Sequence, residues 1–148
     1  MVHLHSILRW AVVLIGLLAV IRALKGVTGK TPFTAADSKA GLFFSIICDI
    51  QLLVGLLLYF VFSPKAQAAM SNMGAAMKDA TLRFYAVEHA TLAIVAIALV
   101  HIGKSKVKKA ATDAQKHKLA LIFYGIALLL IFVLTPWPFR AALGGSWF

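Results

Sequence analysis

Acid is scarce in this chain. Five carboxylates, Asp37, Asp49, Asp79, Glu88 and Asp113, stand against fifteen lysines and arginines. Charged residues of both signs make up 14% of the sequence, against about a quarter in an ordinary soluble domain. Such low charge excludes a disordered polyelectrolyte. Cysteine is nearly absent: Cys48 stands alone, so no internal disulfide and no paired-cysteine metal motif exists. The sequence also lacks a nucleophile–base arrangement, a glycine-rich dinucleotide loop and a metalloprotease helix motif. The run Gly103-Lys-Ser-Lys-Val-Lys-Lys lacks the spacing of a phosphate loop and follows no strand, so attraction to anionic headgroups explains it better.

What is present is apolar. Hydrophobic residues make up 61% of 148 positions, more than a soluble domain of this size can bury. The composition predicts one integral membrane domain, all-α, built as an antiparallel four-helix transmembrane bundle. Four apolar stretches carry it, at about residues 4–24, 40–62, 84–102 and 119–135. Each is near the roughly 20 residues that cross a bilayer core, and each must be helical to satisfy its amides in lipid. Thr34-Ala-Ala-Asp37 and Thr112-Asp-Ala-Gln115 have the form of helix starts. Gly26 and Gly29 are placed to follow the end of the first helix, and Pro136 and Pro138 to end the fourth around an interfacial Trp137. The first stretch lacks an A-x-A site and runs straight into Arg22 and Lys25, so it is expected to be a span rather than a cleaved signal.

Ten of the fifteen basic residues fall at or near the loops that join spans one and two and spans three and four. The positive-inside rule puts those loops in the cytoplasm and both termini on the periplasmic side of a bacterial inner membrane. Because the charges flank apolar stretches, the net charge of +10 reports topology and a lipid partner, not nucleic acid. Between spans two and three, Met70, Met73 and Met77 fall on one helical face and predict a short amphipathic helix on the outer surface, over about residues 65–80.

Polar residues at depth carry the functional signal, because each is costly in lipid unless partnered. His5 and Arg9 share a face of the first span, which Gly16 continues. Arg83, Tyr85, Glu88 and His89 open the third, with His89 about 9 Å below Arg83. The two groups reach the same half of the bilayer. Three chemistries fit them. His5 and His89 are axial ligands of a haem whose propionates pair with Arg9 or Arg83, with Glu88 as partner of Arg9 or of an imidazole N–H. Or Arg9 and Glu88 form a buried ion pair and the histidines are structural. Or His89, Glu88 and Tyr85 line a proton or ligand path. His3 is a weaker ligand candidate, nearer the terminus. Asp49 and Gln51 point about 200° apart on the second span and cannot serve one site; Asp49, near mid-membrane, suits a hydrogen bond to a neighbouring helix or a proton relay. His101 and His117 are expected as ordinary interfacial residues.

The segments Leu4-His5-Ser6-Ile7-Leu8-Arg9-Trp10, Leu82-Arg83-Phe84-Tyr85-Ala86-Val87-Glu88-His89 and Gly103-Lys-Ser-Lys-Val-Lys-Lys-Ala-Ala-Thr-Asp together resemble a family of small bacterial four-span proteins often labelled "cytochrome B". The resemblance covers nearly the whole chain. It implies a b-type haem with His5 and His89 as the matching histidines. One departure stands out: a two-haem bundle would want a mid-helix histidine on the second span, and Asp49 stands near there, which tells against multi-haem transmembrane electron transfer. The expected function is one-electron transfer near the outer leaflet, with a membrane redox complex as partner. The alternatives are a haem-free accessory subunit of a larger membrane complex and a small proton-coupled carrier using Asp49.

Overall fold

The structure is a computed structural model and describes residues 2–62, 67–68, 71–79, 83–135 and 137. Lys65, Met70, Leu82 and Arg140 lie outside the described residues, and so does the side chain of Tyr85. The helices are α1 (Val2–Gly29), α2 (Ala35–Leu57), α3 (Met73–Ala76), α4 (His89–Lys109) and α5 (Asp113–Leu134). Two π-helical turns join on: Leu58–Phe62 continues α2, and Phe84–Glu88 leads into α4. No strand occurs among the described residues. Four helical segments, His3–Gly29, Ala35–Val61, His89–Lys109 and Asp113–Leu134, are long and apolar enough to cross a membrane.

Each helix outruns its apolar stretch at the lysine-rich end. Hydropathy marks the part that suits lipid, while the hydrogen-bonded helix continues into the basic turns. Hence α4 extends through Lys104–Lys109, and α5 starts at Asp113, with the Thr112 hydroxyl accepting from the Gln115 N–H at 3.2 Å. At the start of α2, the Asp37 carboxylate accepts from the Thr34 N–H (2.9 Å), the Thr34 hydroxyl (3.1 Å) and Arg22 Nε (2.9 Å). The expected stop at Gly26 is not observed. The helix runs through it, and the left-handed position past Gly29 is taken by Lys30, at φ 52°. The segment between α2 and α4 also differs from expectation. Asn72 leaves the helical conformation, and its side chain accepts from the Ala75 N–H to start the single turn α3.

The four long helices pack in a ring: α1 against α2 and α5, and α4 against α5 and α2. Their shared core holds Val12, Val13, Phe44, Cys48, Ala96, Val100 and Tyr124. Their outer faces are just as apolar, with Leu14, Leu53 and Leu129 each more than 60% exposed. With little hydrophobic contrast between helix and surroundings, close packing supplies the contact energy, and small residues make it possible. Glycines on three helices each receive an α5 side chain. A Cβ at Gly26 would meet the His117 ring at 2.2 Å, one at Gly41 would meet the Tyr124 hydroxyl at 2.5 Å, and one at Gly103 would meet Phe123 Cβ at 2.4 Å. Gly16 is a further close approach, with Phe44 and Leu128 3.0 Å from where its Cβ would be.

His117 is thereby no interfacial residue. It is 1% exposed, its Nε2–H donates to the Thr31 carbonyl at 3.0 Å, and Phe33 lies against its ring. It pins the loop after α1 to α5.

Candidate functional site

Away from the basic loops, polar side chains from three helices and a carbonyl from the fourth converge. His5 comes from the first turns of α1 and His89 from the first turn of α4. These two helices sit diagonally in the ring, so their side chains meet across its middle. The ring centroids are 6.2 Å apart, with 65° between the planes.

The sequence after α5 decides how His89 is held. A helical carbonyl ordinarily accepts from the N–H four residues on. Four residues beyond Phe132 and Leu134 stand Pro136 and Pro138, which have none. Both carbonyls find side chains instead. Trp137 Nε1–H donates to Phe132 at 3.0 Å, and His89 Nδ1 lies 2.8 Å from the Leu134 oxygen. A carbonyl only accepts, so Nδ1 carries the proton and Nε2 of the neutral ring keeps its lone pair. Metal-bound imidazoles are oriented by this kind of contact.

His5 is held from α2. The Gln51 amide donates to the His5 carbonyl at 3.0 Å and lies 3.4 Å from His5 Nε2. Gly55, one turn further along that face, leaves room for the ring: its Cβ would stand 3.3 Å from His5 Cε1. His5 Nδ1 and Gln51 Oε1 are buried without a partner among the described residues. Gln51 is the participant that the sequence reading passed over. Its signal was present, as a lone amide in an apolar span with a glycine four residues on.

Arg9 is 8% exposed. Its guanidinium lies 5.5 Å from the Trp137 ring and 5.9 Å from that of Trp10, an aromatic sleeve that lowers the cost of the buried cation.

The expected Arg9–Glu88 pairing gives way to another. Glu88 Oε1 accepts from Arg83 Nε at 3.0 Å, both side chains being well exposed, and Arg83 Nη1 also donates to the Met77 carbonyl. The π turn explains this exchange. Its i→i+5 bonding, seen in the His89 N–H reaching Phe84 O, brings residues five apart together. Glu88 is thus not the partner of the His89 N–H either. His3 is exposed. Asp49 and Gln51 do face opposite ways: Asp49 Oδ1 lies 2.7 Å from His101 Nε2 on α4, both side chains about half exposed.

No cluster of three or more His, Cys, Asp or Glu side chains suited to a metal ion occurs among the described residues. A haem iron asks less of the protein, two axial donors, and the pair can be tested against that. A bound imidazole nitrogen stands about 2.0 Å from its metal, which places the centres of two opposed rings roughly 6 Å apart. The observed spacing fits. Rotation of one plane against the other is free in axial ligation, and the unpartnered atoms of His5 and Gln51 mark a polar site with unfilled bonding capacity.

No family model matches the chain, and neither a curated protein nor a solved structure does.

Proposed function

We propose that the chain is a membrane b-type cytochrome-like protein holding one haem between His5 and His89. The observation that carries this reading is the 6.2 Å between the two imidazole centres, which meet across the diagonal of the helix ring. His89 Nε2, left with its lone pair by the Leu134 contact, and a ring nitrogen of His5 would hold the haem iron. Arg9, one turn below His5 in its tryptophan sleeve, is the cation that pairs with a propionate. Arg83, already engaged by Glu88, stands at the rim as a second. Such a haem supplies reversible one-electron chemistry and needs no substrate-transforming residue. Gln51 orients His5, and the apolar outer faces keep water from the pair.

In this reading the long helices alternate in direction, as the short connections at residues 30–34 and 110–112 favour. Both basic connections face the cytoplasm of a bacterial inner membrane, both termini and the α3 segment face outward, and a membrane redox complex exchanges the electron.

A second reading rests on the edge-to-face contact of the two rings and the Gln51 clasp on His5. These contacts tie the helix ends together without a guest, as an accessory subunit of a larger complex requires. Spectra of the protein purified in mild detergent from haem-supplied cells separate the two. Sharp bands on reduction, lost in His89→Ala, support the cytochrome. A colourless, folded protein supports the scaffold.

A further inference from the structure

At the basic end, the last turns of α1 and the loop to α2 border a half-open cavity of about 360 Å³, lined among others by Leu18, Ile21, Arg22, Lys25, Thr31 and Asp37. The four α1 residues follow helical spacing and share one face. Leu18 and Ile21 are 52% and 46% exposed and form an apolar wall rising along the span. Arg22 and Lys25 lie one turn further, at the level of the basic loops. The wall suits an acyl chain and the cations suit its headgroup.

The cations are prepared for an anion. Asp37 fixes the guanidinium through Nε alone, at 2.9 Å, and the terminal guanidinium nitrogens make no bond among the described residues. The Lys25 ammonium is exposed and has no ion-pair partner among them. Asp37, the carboxylate on the lining, is taken up by Arg22 and by the N–H and hydroxyl of Thr34. Arg22, Lys25 and Asp37 leave one net positive charge, matched to a phosphodiester monoanion. The Thr31 side of the cavity is held in place by His117, through the Thr31 carbonyl.

We propose that this cavity binds the headgroup phosphodiester of one anionic phospholipid, with an acyl chain laid along Leu18 and Ile21. Basic recesses at helix ends on the lysine-rich side are suited to such headgroups. The site is independent of the haem reading and lies at the opposite end of the helices.

Native mass spectrometry of the full-length protein, mixed with equal phosphatidylglycerol and phosphatidylcholine, tests it. One phosphatidylglycerol is expected to be retained preferentially. Lys25→Gln should cut that preference about fivefold, the usual effect of one cation near a headgroup, with melting temperature and helical circular dichroism unchanged. Lys108→Gln, an exposed lysine of the other basic loop, should leave it intact. Millimolar glycerol phosphate should fail to displace the lipid. Equal retention of the two lipids, or equal effects of the two lysine variants, would overturn the proposal. Displacement by glycerol phosphate would also overturn it, by assigning the cavity to a soluble phosphate.

Discussion

At the basic end, α5 meets its neighbours through Gly26, Gly41 and Gly103; at the other end, the helices meet through His5, Gln51, His89 and Arg9. The first set is close packing. Backbones approach closely, a ring or hydroxyl fills each notch, and His117 gives one ring nitrogen to a carbonyl while its Nδ1 stays buried without a partner among the described residues. The second set keeps donors and acceptors in an apolar layer, leaves His5 Nδ1 and Gln51 Oε1 unpartnered, and lies beside the π turns Leu58–Phe62 and Phe84–Glu88. Buried polar groups with unused bonding capacity are costly, and π turns are frequent at functional sites. Two buried histidines of one protein each keep an unpartnered nitrogen, and their neighbours set them apart: a second imidazole and an amide at His5, a loop carbonyl and Phe33 at His117.

Substitution can break that contrast. The largest effect is expected at His89. If the pair holds a haem as proposed, His89→Ala should abolish its visible bands altogether while the protein remains folded and monodisperse. His117→Ala should do the reverse, keeping the bands and lowering the melting temperature. If both variants lose the pigment to the same degree, the division between the two ends fails. Next comes Gly26→Ala, which drives a methyl group into the His117 ring. Overpacking of this kind costs about 1–3 kcal/mol, read as a lower melting temperature in detergent, and the added His117→Ala should restore part of it.

A smaller effect is expected from Gln51→Leu. The His5 carbonyl loses the Gln51 amide, and on the proposed reading haem retention in a dilution assay should weaken by about tenfold, as loss of an outer contact to a metal ligand does. The smallest belongs to Arg83→Gln. Its pair with Glu88 is well exposed, so the melting temperature should shift by the equivalent of less than about 1 kcal/mol. A shift as large as that of Gly26→Ala would move Arg83 into the interior of the site.

Local chemistry made much of this legible in advance. The four spans follow from hydropathy, and the two helix starts from Thr34 and Thr112. The opposition of Asp49 and Gln51 follows from helical spacing. The pairing of Glu88 did not, because a π turn changes which residues are neighbours and no residue type announces one. Gly26 was misleading because glycine suits both a helix end and a close approach; only the His117 ring decides between them. His117 itself sits amid Lys116 and Lys118, so composition pointed to water, whereas the loop at Thr31 and Phe33 folds back over it.

The three notches lie on α1, α2 and α4, and α5 supplies every side chain that fills them. During synthesis α5 is the last of these four to leave the ribosome. Until it packs, none of the three notches holds its α5 side chain. The fit of three helices to their neighbours therefore hangs on one helix made after all of them.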